Sequence, residues 1–281
     1  MFTIGADPEL FVKKNGKLIA ATGLVEGDKA SPKKVIGGAI QVDGLALEFN
    51  VDPVSSENFV NFNHNIVQVI RQLKEEAKKV GGNGITFDIS SWVDFPQEYY
   101  DALPEDSKQL GCDPDFNAYE EGRANPSPDA NTNRRGAAGH LHIGWGDNIP
   151  IDHPEHVENC CRIVKMLDQT VGMASIIINP DVTRREHYGK AGAFRAKPYG
   201  VEYRVPDNSW IKTKASRAFI FEILRRTLQS LGTGKEERFL SMAEKDIRNC
   251  INTTGDSGYA TAVLQTLFPS VPVSLAAYKG W

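Results

Sequence analysis

The sequence predicts an α+β fold in which a largely antiparallel sheet carries helices on one face. Three observations lead there. Several stretches repeat apolar residues every three or four positions, short runs rich in Val, Ile, Leu and aromatics stand between them, and the two kinds do not alternate as a doubly wound parallel sheet requires.

In chain order, Phe2–Val12 and Ala39–Val51 read as strands. Ser55-Ser56-Glu57 then opens a helix in which Val60, Phe62, Ile66, Val69 and Leu73 form one apolar stripe before Gly81-Gly82 stops it. Gly84–Ile89, His140–Trp145 and Gly200–Val205 are further strands. Pro154 in a first turn, followed by Val157, Cys161, Val164 and Leu167, marks a second helix. Phe221, Leu224, Leu228 and Leu231 mark a third that ends at Gly232, Leu240 to Cys250 a fourth, and Tyr259 to Phe268 a short fifth. Between about residues 90 and 138 neither period holds. Pro96, Pro104, Pro114, Pro126 and Pro128 interrupt it, while Trp92, Phe95, Tyr99, Tyr100, Phe116 and Tyr119 supply anchors, so the stretch reads as an ordered covering loop.

Composition bounds the partners. The 281 residues hold 36 acids and 32 bases, a net charge of −4, which gives no overall field for nucleic acid or an anionic membrane. Asp7 and Glu9 stand where a secretory signal would be apolar, and no apolar run is long enough to span a bilayer, so a soluble cytoplasmic protein is expected. Cys112, Cys160, Cys161 and Cys250 show no C-x-x-C spacing and read as reduced thiols.

Residues two apart in a strand share a face. By that rule Asp7 and Glu9 project together, Glu48 projects away from Leu47 and Phe49, His140 and His142 project away from Leu141 and Ile143, and Glu202 and Arg204 project away from Tyr203. Each segment alone fits a hydrogen-bonded or solvated strand face equally well. Together they describe a sheet face of carboxylates and imidazoles that would repel unless cations sat among them, and carboxylates with few imidazoles suit Mg²⁺ or Mn²⁺ better than zinc. Arg184, Arg185, Lys190, Arg195, Lys197 and Arg204 gather in one stretch against only Glu186 and Glu202. Carboxylate-held metals beside such bases form a constellation that neutralises a transferring phosphoryl group, although a plain basic loop has the same composition. No Walker-type loop, G-x-G-x-x-G or G-x-S-x-G is present.

With these residues in view the chain resembles the glutamine synthetase and glutamate–cysteine ligase superfamily, and within it the phage-type carboxylate–amine ligase family. Gly5-Ala6-Asp7-Pro8-Glu9-Leu10-Phe11, Leu47-Glu48-Phe49-Asn50, Gly139-His140-Leu141-His142 and Gly200-Val201-Glu202-Tyr203-Arg204 are similar to its catalytic strands and follow in the same order. Gly111-Cys112-Asp113-Pro114-Asp115-Phe116 and the Arg135 to His142 segment resemble the phage-type family in particular. One departure stands out: seven residues before Glu48, where relatives carry an acid, this chain has Gln41, with Asp43 close by.

The resemblance implies one catalytic domain over residues 1–281, a glutamine-synthetase-like fold with the active site on the sheet face opposite the helices, and cytoplasmic location, in a host if a phage encodes it. It also implies ATP and Mg²⁺ or Mn²⁺ as cofactors and the joining of a small-molecule or peptide carboxylate to an amine through an acyl phosphate. Metal binding then falls to Asp7, Glu9, Glu48, His140 and Glu202, phosphate contact to His142, Arg195, Lys197 and Arg204, and substrate contact to Arg134, Arg135 and Tyr188. The rivals are a metal-dependent hydrolase, a guanidine kinase on the same fold, and a non-catalytic nucleotide- or metal-binding phage protein with a degenerate site, for which Gln41 is the best support.

Overall fold

The computed structural model describes residues 2–108, 115–126, 132–240 and 242–279. Its strands are β1 (Thr3–Lys14), β2 (Lys17–Ile19), β3 (Lys33–Val35), β4 (Gly38–Asp43), β5 (Ala46–Ser55), β6 (Ile85–Asp88), β7 (Trp92–Asp94), β8 (Phe116–Asn117), β9 (Arg123–Ala124), β10 (Arg134–Gly136), β11 (Gly139–Gly144), β12 (Ala193–Lys197) and β13 (Gly200–Tyr203). The helices are α1 (Phe59–Gly81), α2 (Gln97–Asp101), α3 (Glu105–Lys108), α4 (Pro154–Leu167), α5 (Met173–Ile178), α6 (Lys214–Ser230), α7 (Glu236–Leu240), α8 (Glu244–Asn249) and α9 (Ser257–Leu267).

The main sheet has the order β3-β4-β5-β1-β11-β13-β12-β8-β9, with β2 and β6 also paired to β1, and β7 and β10 form a separate ribbon. Among the described residues every ladder is antiparallel. One sheet face is apolar: Ile4, Ala6, Leu10, Leu47, Phe49, Leu141, Ile143 and Val201 are buried in a single core with Phe62, Ile66, Val69 and Leu73 of α1, Val164 and Leu167 of α4, and Phe219, Ile220 and Leu224 of α6. Each fully buried Val, Leu, Ile or Phe side chain among them contributes about 1.5–3 kcal/mol. The α+β class and the side on which the helices pack are as the periodicity predicts.

Local chemistry explains where the elements end. Asn58 accepts the Asn61 N–H and starts α1, which stops at Gly82 with φ 84°. Thr213 and Ser216 form a capping box that starts α6 seven residues before Phe221, where the sequence stripe begins. The run Ala39–Val51 is a hairpin, broken at Gly44 with φ 55°. The fourth helical stretch divides into α7, α8 and a π-helical turn at Cys250–Thr254. The strand β12 has no counterpart in the sequence reading.

The stretch from 90 to 138 contains short elements rather than an irregular loop. β7 and β10 pair with Arg135 opposite Val93, and Val93, Phe95, Tyr100 and Ala137 bury with Phe11 and Ala46 in a second core. Phe11 and Ala46 have the parity of Glu9 and Glu48, so this core anchors the covering segment to the polar face of the sheet. Gly111 to Pro114 of the phage-type motif lie outside the described residues. Among the described residues no helix is long and apolar enough to cross a membrane.

Candidate active site

In an antiparallel ladder, residues directly opposite each other share a face. Asp7 stands opposite His140, Glu9 opposite Glu48, Glu48 opposite Gln41, His142 opposite Glu202 and Glu202 opposite Arg195. Six strands thus bring residues from Asp7 to Glu202 onto one polar face.

On that face the donors form two groups. Asp7, His142 and Glu202 bring ligand atoms within 4.8 Å of one another, and so do Glu9, Asp43 and Glu48. His140 belongs beside the first group: its Nδ1 lies 3.3 Å from Asp7 Oδ1 and 3.5 Å from Glu202 Oε1, and its Nε2 lies 3.0 Å from the Tyr188 hydroxyl. Asp7 Oδ1 and His142 Nε2 are buried and make no hydrogen bond of good geometry, although His142 Nε2 lies 3.1 Å from Asp7 Oδ2. Carboxylate and imidazole groups converging in this way fit a hard divalent cation of the Mg²⁺ or Mn²⁺ kind.

The electrostatics of the two groups differ. Burial opposes the charge on Asp7, but His142 and His140 outweigh it and hold the carboxyl well below its usual range. Burial and then Arg204 depress His140, whereas for His142 the Asp7 carboxylate overcomes burial and raises it. In the second group burial, with Asp43 adding, pushes Glu9 up to about 7. Burial followed by Asp7, Glu9 and Asp43 raises Glu48 well above the usual range. The first group is balanced by its imidazoles; the second is an excess of negative charge, relieved by Lys29, whose Nζ lies 2.9 Å from Asp43 Oδ2, and by Gln41 Nε2, which donates to Glu48 Oε2 at 2.9 Å.

Cations close the other end. Lys197 Nζ lies 2.7 Å from Glu202 Oε2 and Arg195 Nη1 3.8 Å from Oε1, and Arg204 Nη1 bonds the same Oε1. Arg204 also packs over the Tyr188 ring with its carbon 5.0 Å from the centroid, and Arg184 lies against the same ring at 4.8 Å. Over the site, Arg134 stacks on Trp92 at 4.6 Å and pairs with Asp94 at 2.9 Å. Arg135 folds back into the covering segment, donating to the Tyr100 hydroxyl and to the carbonyls of Thr132, Arg134 and Lys108. One cavity is lined by Asp7, Glu9, Glu48, His140, Tyr188, Arg195 and Arg204, and by Arg134 and Arg135 at its cover. His142, Lys197 and Glu202 are not part of its lining but lie on the same sheet face.

Four titratable residues of this cavity were not assigned as site residues from the sequence: Lys29, Asp43, Arg184 and His187. Arg184 is 2% exposed, donates from Nη1 to Val205 O at 3.1 Å, and holds Nε and Nη2 buried with no hydrogen-bond partner. It sits in a 3-10 turn at Thr183–Glu186, where no strand parity reveals direction. Gly189, with φ 75°, leaves it room, since a Cβ there would lie 2.2 Å from Arg184 Nη1. Asp43 could have been found from parity, because it shares a strand face with Gln41.

Among curated proteins nothing matches the chain. Of solved structures, one described as "GmaS/ADP complex-Conformation 1" is 13% identical with a TM-score of 0.47, covering 99% of this chain and 67% of its own. Another, "Crystal structure of novel glutamine synthase homolog", is 12% identical with a TM-score of 0.40, covering 99% of this chain and 66% of its own. The chain therefore spans about two thirds of the length of each. The segment bearing His140, His142, Arg184, Arg195, Glu202 and Arg204, residues 137–235, matches the model of the phage phiEco32-like COOH.NH2 ligase-type 2 family.

Proposed function

We propose that this protein is an ATP-dependent carboxylate–amine ligase that forms an amide through an acyl phosphate. The observation that carries the reading is the juxtaposition, on one sheet face, of two carboxylate groups with Arg184, Arg195 and Arg204 in or beside a single cavity. A hydrolytic metal centre has no need of three buried or half-buried guanidiniums, whereas phosphoryl transfer does. The family matched by residues 137–235 is named for carboxylate–amine ligation.

The residues divide the work as follows. Asp7, His142 and Glu202, with His140 alongside, would hold one divalent cation, and Glu9, Asp43 and Glu48 a second; such ions neutralise phosphate oxygens and supply Lewis acidity. Arg195, Arg204 and Lys197 orient the terminal phosphate of ATP. Arg184, with two donors to spare and no competing carboxylate bonded to it, holds the acid substrate. A carboxylate oxygen attacks the γ-phosphorus, the bond to the bridging oxygen breaks, and ADP leaves. The amine nitrogen then attacks the acyl carbon, phosphate departs, and the nitrogen gives up one proton. Tyr188 fixes the His140 ring from its Nε2 side, and Trp92 with Arg134 excludes water that would hydrolyse the acyl phosphate.

The test is isotope transfer. With Mg-ATP, a panel of amines and ¹⁸O-labelled carboxylates, label should appear in the released phosphate. Amide product accompanied by unlabelled phosphate overturns the acyl-phosphate route.

A further inference from the structure

A second cavity lies away from the polar face, between the turn at Ala118–Glu120, one side of α4 and the start of α8. Its wall contains Gln169, the second residue of a π-helical turn, Asp168–Gly172, that joins α4 to α5. Such turns recur at functional positions because the extra residue re-aims side chains. Gln169 is 5% exposed and its Oε1 has no hydrogen-bond partner. A buried amide oxygen left unpaired is destabilising, a cost removed by a ligand N–H.

The charges around this space are of both signs. Glu121, Glu158 and Lys165 line it, and all three act on the Cys161 thiol in the same wall, so they converge on one volume. Among the described residues none of the three is in an ion pair, in contrast to Arg162, which pairs with Glu236, and Glu244, which pairs with Arg248. Lys165 lies 5.5 Å from the centre of the Tyr119 ring, and Val157 and Met242 supply apolar wall. Two carboxylates repel a nucleotide or other polyanion, and a simple cation would leave Lys165 opposed.

We propose that this cavity binds a small zwitterion of the amino-acid class: its ammonium group faces Glu121 and Glu158, its carboxylate faces Lys165, and an N–H satisfies Gln169. The site is separate from the catalytic face, but not remote from it in bonding. Asp168, next to Gln169, accepts from the Tyr203 hydroxyl and from the Gly192 N–H, both at 2.7 Å.

Saturation-transfer NMR of the full chain against the twenty free amino acids, with N-acetyl and carboxamide forms as controls, tests this. At least one free amino acid should bind, its blocked forms at least tenfold more weakly. Gln169→Leu and the surface changes Glu158→Gln and Lys165→Gln should each weaken it at least tenfold, with unchanged circular dichroism, while Glu202→Gln leaves it intact. Absence of binding across the panel, indifference to all three cavity variants, or loss in Glu202→Gln would each overturn the proposal. None of these readouts depends on ligase activity, so failure here is separable from failure of the proposed reaction.

Discussion

Glu9 and Glu48 stand directly opposite each other across the β1–β5 ladder, two like-charged side chains on the same face at adjacent strands. Like charges so placed are destabilising unless protonated or bridged. Because Glu9 is raised to about 7 in the fold, the folded chain holds a proton that the unfolded chain has already lost between roughly pH 4.5 and 7. This contribution to stability is therefore full below about pH 4.5 and is lost as pH rises towards 7, by on the order of 3 kcal/mol. Thermal melts of the metal-free protein should show this fall, and Mn²⁺ at 100 times its Kd should restore about 2.7 kcal/mol. A melting temperature flat across that range and unmoved by Mn²⁺ would contradict the pairing.

Removing a donor from the first group should separate binding from folding. Glu202→Gln and Asp7→Asn are expected to weaken Mn²⁺ binding by at least about tenfold in titrations followed by electron paramagnetic resonance, with the circular dichroism spectrum retained. Unchanged affinity in both variants would remove the metal assignment from that group.

Gln41 offers the converse experiment. Its amide donates to Glu48, so Gln41→Glu replaces a donor with a fourth carboxylate beside Glu9, Asp43 and Glu48. The metal-free variant should lose about 1–3 kcal/mol in denaturant unfolding, and divalent ions should recover more stability in it than in the parent. An equally stable metal-free variant would show that the second group is already screened.

Arg184 keeps Nε and Nη2 buried and unpaired among the described residues, a cost that a substrate carboxylate would repay. Arg184→Met should cost less than about 1 kcal/mol of stability in the free protein, since an apolar side chain of similar volume replaces a poorly satisfied ion. The same change should raise the KM for the acid substrate by at least about 100-fold, and leave that for ATP within about threefold. A matching rise for ATP would assign the residue to the phosphates instead.

How much of this was visible in the chain is best seen strand by strand. The alternation around Asp7, Glu48, His140, His142 and Glu202 was legible because strand parity is a local property, and α1 was legible because its buried stripe at Phe62, Ile66, Val69 and Leu73 repeats cleanly. The pairing partners were not local. Nothing near Glu48 states that it faces Glu9, or that a turn at Gly44 swings Asp43 towards both. Arg184 was hidden because a 3-10 turn has no face rule, and its direction is set by contacts distant in sequence, among them the Val205 carbonyl and the Tyr188 ring. β12 was hidden because Ala193–Lys197 mixes charged and small residues without an apolar run, and its strand form is imposed by β13 on one side and β8 on the other.

The central place of β1 has a consequence for synthesis. Made before either partner, it finds β5 once Ser55 has been added but must wait for β11 until Gly144 has been made. The group formed by Glu9, Asp43 and Glu48 can therefore assemble on the nascent chain long before Glu202 exists, whereas the group around Asp7 cannot. During that interval one edge of β1 is unpaired, which makes early capture of a cation or a chaperone there a folding matter before it is a catalytic one.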